Sequence, residues 1–307
     1  MRSRLPFGFL RDGTGVALQV VESAATHDEP PGKPLMEWPA KRGIGADARL
    51  HRDAAGAHLW IETIGCIDID ETLPSITVPP LLSAARREKL AITVPDGELL
   101  AWREVFVLGP PAMLCFMARG YMPLHAASVD VGGEAILLGA PGTFGKTTLS
   151  GAFHNAGYRL LSDDISSCVL ATRAAAVLPG PALLRLRRDV FDRLDFPDTE
   201  VAFETPLRVA LSIAPSRRGD AAPVPLRAIV LLRRSEGEFH LARADPADAI
   251  RDLLALCFRG MVDKGQAFRE ITSLVNSVPV WNLSRPLEFA GLPELVEQIV
   301  SRCVRTR

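Results

Sequence analysis

The stretch from residue 134 to residue 157 constrains the fold more than any other part of this chain of 307 residues. It begins with Glu134-Ala-Ile-Leu-Leu-Gly139, a short apolar run that is typical of a buried strand. A turn with two glycines follows, and apolar residues then recur at helical spacing from Lys146 to Gly157, which suits a helix C-terminus. The order strand, loop, helix predicts an α/β unit built around this segment.

The turn between the predicted strand and helix has the spacing of a phosphate-binding loop. Ala140 to Thr147 follow the pattern G-x-x-x-x-G-K-[ST], with Ala140 in the place of the first glycine. The backbone N–H groups of such a loop surround nucleotide phosphates, the lysine meets the β and γ phosphates, and the hydroxyl holds Mg²⁺. The predicted nucleotide-binding residues are Ala140, Pro141, Gly142, Thr143, Phe144, Gly145, Lys146, Thr147 and Thr148.

Two residues of this loop raise separate questions. Ala140 fits the first position if its backbone is β-like, because a single methyl group is excluded only where φ is positive. Phe144 is expected to pack beneath the loop, with contact to the nucleotide as the alternative. A glycine-rich turn before an ordinary helix, with no ligand, is the alternative for the whole segment.

A pair of adjacent carboxylates follows within one helix length of the loop. Asp163 and Asp164 interrupt the apolar segment from Tyr158 to Leu170, which reads as a strand. Successive side chains of a strand point to opposite faces, so the two carboxylates share a side only if the strand ends or bulges there. One carboxylate can then face Mg²⁺ and the other an attacking hydroxyl. A solvated turn is the alternative.

These features together resemble the C-terminal domain of HPr serine kinase/phosphorylase, a family structurally akin to ATP-dependent phosphoenolpyruvate carboxykinase. The resemblance covers about residues 120–190 and rests on Leu124-His125 ahead of a strand, the loop, the helix, and the Asp-Asp segment. It continues weakly through residues 224–233 and 278–285. It implies an α/β fold with a P-loop kinase domain of the HPr-kinase and carboxykinase type, using ATP and Mg²⁺.

The resemblance also implies roles for individual residues. Lys146 becomes the phosphate ligand, Thr147 the Mg²⁺ ligand, and Asp163 the general base on the acceptor hydroxyl. Asp164 becomes a second metal ligand, with a place in the water network as the alternative. His125 stands where the family has an active-site histidine, and a buried histidine bonded to the backbone is the alternative. These residues give the predicted catalytic set Asp163, Lys146 and His125.

Departures from the family pattern narrow the expected substrate. The family's Lys-Ser-Glu after the loop glycine is Lys146-Thr147-Thr148 here, and the glycine-rich signature further downstream has no convincing copy. HPr is therefore not the expected acceptor. Stand-alone bacterial peptide kinases, including kinases of lasso-peptide precursors, are similar in size and layout. The expected acceptor is a Ser or Thr hydroxyl of a peptide or small protein.

Phosphoryl transfer also needs cations for the charge that develops on the phosphate. The sequence offers several candidates without separating them, since most charge runs are solvated. They are Arg185, Arg187, Arg188, Arg259 and Lys264.

Composition and organisation bound the remaining choices. The net charge of −1 argues against a nucleic-acid footprint, and the absence of a long apolar run argues against a membrane span. Five dispersed cysteines and six dispersed histidines suggest a reduced cytoplasmic protein without a metal cluster. Residues 1–122 are expected to form a smaller β-rich domain that binds substrate or shields a sheet edge, and residues 123–307 the kinase domain. The sequence leaves open whether the protein forms a homo-oligomer.

Local patterns give further expectations about elements. In the first region, Val16–Val21, Ala57–Ile69 and Ile92–Leu99 read as strands, and residues 104–120 read as a helix. Amphipathic helices are expected at residues 245–259, 265–276 and 293–304.

Three functions fit these observations. The first is a kinase of peptide or protein hydroxyl groups, and the second is a kinase of a small molecule such as free serine. The third is a nucleotide-binding regulator that transfers nothing, which leaves the second carboxylate unexplained.

Overall fold

A computed structural model of the chain describes residues 2–3, 18–25, 27–39, 47–73, 75–83, 88, 96–171, 174–181, 183–204, 208–218, 222–258 and 263–305. The protein is mixed α/β and divides into two compact units. The first contains the described residues up to Gly120, and the second contains those from Tyr121 onwards. None of the helices among the described residues is both long and apolar enough to span a membrane.

Among its described residues, the first unit contains a seven-stranded sheet and the two helices Asp96–Val107 and Pro110–Met117. Its elements are β1 (Arg2–Ser3), β2 (Gln19–Glu22), β3 (Met36–Trp38), β4 (Ala48–Asp53), β5 (Gly56–Ile61), β6 (Gly65–Asp70), β7 (Ser75–Val78), α1 (Asp96–Val107) and α2 (Pro110–Met117). The strand order is β1-β2-β7-β6-β5-β4-β3, with β1, β2 and β7 parallel and the other pairs antiparallel.

Three expectations for the first region were wrong in detail. Residues 57–69 form the hairpin β5–β6 with a turn at residues 62–64, and not one strand. The helix expected at residues 104–120 is two helices, because Pro110 starts a new helix after Gly109. The described part of the strand expected at Ile92–Leu99 belongs to α1, and residues 92–95 lie outside the described residues.

The second unit contains a nine-stranded sheet, a three-stranded sheet and five α-helices among its described residues. It also has a short 3-10 helix at Pro215–Arg217 and a π-helix at Ser301–Arg305. Its first elements are β8 (Met122–Leu124), β9 (Ala126–Val131), β10 (Glu134–Gly139), α3 (Lys146–Asn155), β11 (Arg159–Ser162), β12 (Ser166–Ala171), β13 (Ala174–Leu178), β14 (Leu183–Arg187) and α4 (Arg188–Phe191). The remaining elements are β15 (Thr199–Glu204), β16 (Arg208–Ile213), β17 (Val224–Arg234), β18 (His240–Arg243), α5 (Pro246–Leu256), α6 (Lys264–Ser277), β19 (Val280–Arg285) and α7 (Leu292–Val300).

The strand that precedes the phosphate-binding pattern lies inside the larger sheet. β10 pairs in parallel with β17 and antiparallel with β9, and β17 pairs in parallel with β19. Ile136 and Leu138 of β10 join one apolar cluster, which includes α3 and α7, while Ala135 and Leu137 join another with α5 and α6. Burial on both faces explains why this strand is a continuous apolar run.

The structure confirms the expected elements around the motif. The strand at residues 134–139, the helix that starts at Lys146, and the later strands β17 and β19 are all present. The three amphipathic helices correspond to α5, α6 and α7, each within a few residues of its expected bounds. The single strand expected from Tyr158 to Leu170 is instead β11 and β12, which are separated by a bend at Asp163 and Asp164.

Candidate active site

The phosphate-loop pattern forms a tight connection between β10 and α3. Gly145 is the N-cap of α3 and adopts a left-handed conformation with φ 83° and ψ 23°. No side chain among the described residues caps this helix, and no acidic residue occupies its first turn. Uncapped N–H groups and the partial positive charge of a helix N-terminus favour an anion at this point.

The loop explains how Ala140 replaces a glycine. Ala140 is 3% exposed, packs in the apolar cluster beneath the loop, and does not have a positive φ. The strained position is instead Thr143, with φ 68°. Phe144 packs against the same cluster, as expected, and the guanidinium carbon of Arg234 lies 4.8 Å from its ring centre. Pro141, Gly142 and Thr143 form the exposed rim of the loop.

Lys146 is buried and turns back onto its own loop. Its Nζ donates to the carbonyl oxygens of Ala140 at 2.7 Å and Pro141 at 3.3 Å, and lies 3.0 Å from Nε2 of His125. Burial lowers the pKa of the Lys146 ammonium, and it also lowers the pKa of His125. A lysine donor at Nε2 requires the neutral His125 tautomer with its proton on Nδ1, which then donates to the carbonyl oxygen of Asp164 at 3.1 Å.

Three buried serines hold the turn that carries the two aspartates. The hydroxyl of Ser162 lies 2.7 Å from the hydroxyls of both Ser128 and Ser166, and Ser166 donates to the carbonyl oxygen of Ala126. The chain therefore bends between β11 and β12 at a fixed place, next to β9. This network was not predicted from the sequence, although Ser162 and Ser166 flank the two aspartates closely.

Asp163 is buried and faces the start of α3. Its Oδ1 accepts a hydrogen bond from the Thr147 hydroxyl at 3.1 Å, and its Oδ2 accepts one from the Arg185 backbone N–H at 3.0 Å. Burial and the neighbouring Asp164 carboxylate raise the pKa of Asp163. A carboxylate with a raised pKa is suited to accept a proton near neutral pH.

Asp164 has the opposite electrostatic character. Its side chain is 39% exposed, and its Oδ2 accepts a hydrogen bond from Nη2 of Arg185 at 2.5 Å. The nearby cations Arg185 and Lys146 outweigh the effect of burial and lower the pKa of this carboxyl. Asp164 also has φ 72°, a conformation that costs energy in a residue other than glycine. Two adjacent aspartates with pKa values moved in opposite directions suit a division into base and permanent anion.

The predicted cation candidates have different surroundings. Arg185 lies in the site, since it contacts both aspartates. Arg187 and Arg188 pair instead with Asp189 and Glu204 at exposed positions. Lys264 is exposed at the start of α6, and Arg259 lies outside the described residues.

Two further arginines, neither of them predicted from the sequence, lie near the site. Arg208 lies close enough to influence the pKa values of Lys146 and Asp164. Arg285, at the end of β19, is 3% exposed, and a methyl group added to Gly145 would lie 2.6 Å from its Nη2. No local sequence motif marks either residue. Arg208 starts β16 and Arg285 ends β19, so their positions depend on the pairing of strands that are distant in sequence.

Arg285 is the most unusual of these cations. Its Nη1 donates to the carbonyl oxygens of Pro286 and Glu288, while its buried Nε has no hydrogen-bond partner. Within the described residues it makes no ion pair, and burial lowers its pKa. An unneutralised guanidinium beside the positive end of α3 is unfavourable without an anion nearby. The residues at this point therefore suit the binding of a nucleotide phosphate.

The structure thus brings most of the predicted residues together. Lys146, His125 and Asp164 form one chain of contacts, and Thr147 and Asp163 form another. Arg185 joins the two, because it contacts both aspartates. Thr148 is half-buried in the first turn of α3. The Thr147 hydroxyl donates to Asp163 and not to Asp164, its predicted partner at the metal, and this leaves the Thr147 oxygen lone pairs available to Mg²⁺.

Comparison with known proteins adds a distant likeness. No family model and no curated protein matches the chain. Among solved structures, the Hpr(Ser) kinase/phosphatase from Coxiella burnetii is 11% identical, with 59% of this chain and 94% of that chain covered and a TM-score of 0.32. At this similarity the structural relationship is distant, and it extends to neither substrate nor site residues.

Proposed function

We propose that this protein is an ATP-dependent kinase that transfers the γ-phosphate to a Ser or Thr hydroxyl of a peptide or small protein. One observation supports this most directly. The phosphate-loop pattern leads into a helix N-terminus without a side-chain cap, beside two aspartates whose pKa values are moved in opposite directions. Nucleotide binding alone needs the loop and one carboxylate. The second carboxylate is best explained by an acceptor hydroxyl that must lose a proton.

The nucleotide would lie over the start of α3. The N–H groups of the loop and of the first helical turn would bind the phosphates, and Lys146 would leave the carbonyl oxygens of Ala140 and Pro141 to contact them. Thr147 and Asp164 would hold Mg²⁺, which neutralises phosphate charge when it is bound. Arg285 and Arg185 supply further positive charge at the site.

The acceptor hydroxyl would approach Asp163. This carboxylate is held by Thr147 and the Arg185 N–H, so its position is fixed before the acceptor arrives. As the hydroxyl oxygen forms its bond to the γ-phosphorus and the bond to ADP breaks, the hydroxyl proton passes to Asp163. The raised pKa of Asp163 favours this transfer.

The test is phosphate transfer from γ-labelled ATP with Mg²⁺. The full chain is incubated in parallel with a Ser/Thr peptide library, with free serine, and without an acceptor. We expect label on peptides. Label on serine alone would replace the proposal with a small-molecule kinase, and tight ATP binding without transfer to any acceptor would replace it with a regulator.

Two variants test the assigned roles within the same assay. Lys146→Ala should abolish transfer and weaken nucleotide binding at least about tenfold, because a charged phosphate contact is lost. Asp163→Asn should reduce transfer by about 10²–10⁴-fold with nucleotide binding nearly unchanged. The exposed Lys33→Ala, in the other unit, is the matched control and should behave as wild type. A fully active Asp163→Asn protein would disprove the general-base role.

A further inference from the structure

The β5–β6 hairpin of the first unit carries a group of metal-ligating side chains that the proposed kinase reaction does not use. His58, Cys66 and Asp68 each offer one ligand atom, and these atoms all lie within 4.8 Å of one another. Cys66 is 3% exposed, whereas 15% of the His58 side chain and 35% of the Asp68 side chain are exposed. The group is therefore partly buried and open to solvent on one side.

Strand register makes this arrangement specific. Asp68 is the direct cross-strand neighbour of His58, and Cys66 precedes Asp68 by two residues, so all three side chains lie on one face of the sheet. Nδ1 of His58 lies 2.7 Å from Oδ1 of Asp68, and Sγ of Cys66 lies 3.6 Å from the same oxygen. The core residues Leu59 and Ile67 point to the opposite face and hold the register.

The second nitrogen of His58 gives an independent indication. Its Nε2 lies 3.1 Å from Oδ1 of Asp53, at the end of β4. Metal-binding histidines commonly donate their other ring N–H to a carboxylate, which fixes the ring orientation and leaves the first nitrogen as the ligand. Asp53 and Asp68 thus contact the two ring nitrogens of His58 separately, and only Asp68 lies beside the cysteine.

We propose that His58 Nδ1, Cys66 Sγ and the Asp68 carboxylate bind one Zn²⁺ ion, with Asp53 as the residue that orients His58. Sulfur, nitrogen and oxygen ligands together favour zinc over magnesium or calcium. A thiolate and a carboxylate balance the two positive charges of the ion. The proton of the Cys66 thiol and the Nδ1 proton that His58 donates to Asp68 are both released to solvent when zinc binds. Three protein ligands leave a fourth position for water or another ligand.

Binding requires a local adjustment of the three side chains, whose ligand atoms lie within 4.8 Å of one another. Ligand atoms about 2.0–2.3 Å from a tetrahedral zinc ion lie roughly 3.3–3.5 Å from one another. The spacing of 3.6 Å between Cys66 and Asp68 already suits this geometry. The hydrogen-bonded pair of His58 and Asp68, at 2.7 Å, must separate by roughly half an ångström.

The experiment uses the full chain, stripped of metal by a chelator and titrated with Co²⁺ under reducing conditions. We expect a thiolate-to-cobalt charge-transfer band that saturates at one equivalent and disappears when Zn²⁺ displaces Co²⁺. Cys66→Ser should lose the band. Cys115→Ser, which removes another buried cysteine of the same unit, is the matched control and should keep it.

A third variant separates the orienting residue from the ligands. Asp53→Asn should keep the band and the stoichiometry while weakening Zn²⁺ binding about 10–100-fold. Circular dichroism verifies that each variant is folded; if Cys66→Ser is not, Asp68→Asn takes its place and should weaken binding and alter the cobalt d–d bands. Absence of a saturable thiolate band in the wild type, or an unchanged spectrum in folded Cys66→Ser or Asp68→Asn, would overturn the proposal.

Discussion

Two buried aspartates of the second unit, Asp130 on β9 and Asp163 in the bend after β11, have different surroundings. Asp130 accepts a hydrogen bond from Nη2 of Arg159 at 2.5 Å and another from the Gly133 N–H at 2.7 Å. Asp163 instead lies beside a second carboxylate, and both burial and that neighbour raise its pKa. An ionised aspartate therefore stabilises the folded state at position 130 and destabilises it at position 163.

This difference predicts opposite effects of the same substitution on stability. The folded chain holds the Asp163 proton more tightly than the unfolded chain, so the stability from this group is present at low pH and is lost as pH rises through the folded pKa. Asparagine resembles the protonated acid at every pH. Asp163→Asn should therefore become more stable than wild type as pH rises, by about 1.4 kcal/mol for each unit by which the pKa is raised.

Urea unfolding at pH 5 and pH 8, without nucleotide, measures this effect. The matched comparison is Asp130→Asn, which loses its charge-assisted pair with Arg159 and should be destabilised by about 1–3 kcal/mol. An Asp163→Asn protein that is less stable than wild type at pH 8 would show that the Asp163 carboxylate is stabilised in the fold, contrary to the direction of its pKa.

At the scale of elements, the junction of β10 and α3 depends on a close approach to β19. Gly145 has φ 83°, and a methyl group there would lie 2.6 Å from Nη2 of Arg285. Gly133, in the β9–β10 turn, has a similar φ of 91°, but a methyl group there would meet nothing within 4 Å. Alanine would therefore be strained by the backbone at both positions, but it would clash with a neighbouring side chain only at position 145.

The pair predicts a specific difference between two alanine variants. Gly133→Ala should lose about 1 kcal/mol of stability from backbone strain and keep nucleotide binding. Gly145→Ala should lose a further 1–3 kcal/mol or so from the clash, because Arg285 is held by the carbonyl oxygens of Pro286 and Glu288, and should bind nucleotide at least about tenfold more weakly. Equal stability losses in urea unfolding would show that Arg285 moves aside freely.

The elements also show what the sequence could and could not predict. The strand, loop and helix from residue 134 to residue 157 were predicted correctly, since periodicity and turn residues are local signals. Arg285 was not predicted as a site residue, because its place beside Gly145 follows from the pairing of β17 with β19. The cluster at His58 was missed for the same reason, since reading residues 57–69 as one strand hides the register that joins His58 to Asp68.

At the scale of the whole molecule, the two proposed ligand sites belong to different compact units. The phosphate loop and the aspartates lie in the unit that begins at Tyr121, and the His58 cluster lies in the unit that ends at Gly120. The two large apolar clusters on either side of β10 consist entirely of residues from Tyr121 onwards. Because these clusters contain no residue of the first unit, we expect the two units to unfold in separate transitions.

The tryptophans allow the two units to be followed separately. Trp38, Trp60 and Trp102 lie in the first unit and Trp281 in the second, so Trp281→Phe leaves tryptophan fluorescence from the first unit alone. The buried Nε1 of Trp281 has no hydrogen-bond partner among the described residues, so this variant should be well tolerated. In this variant, calorimetry detects the unfolding of both units, whereas tryptophan fluorescence detects only the unfolding of the first unit.

The last prediction is that each ligand stabilises its own unit. Mg²⁺–ADP at about 100 times its Kd contributes about 2.7 kcal/mol, which for a unit of this size is roughly 5–10 °C in Tm. Calorimetry of Trp281→Phe should show this shift while the fluorescence transition stays in place, and Zn²⁺ should move the fluorescence transition while the other stays. If either ligand moves both transitions equally, the chain unfolds as one body and the assignment of ligands to separate units is wrong.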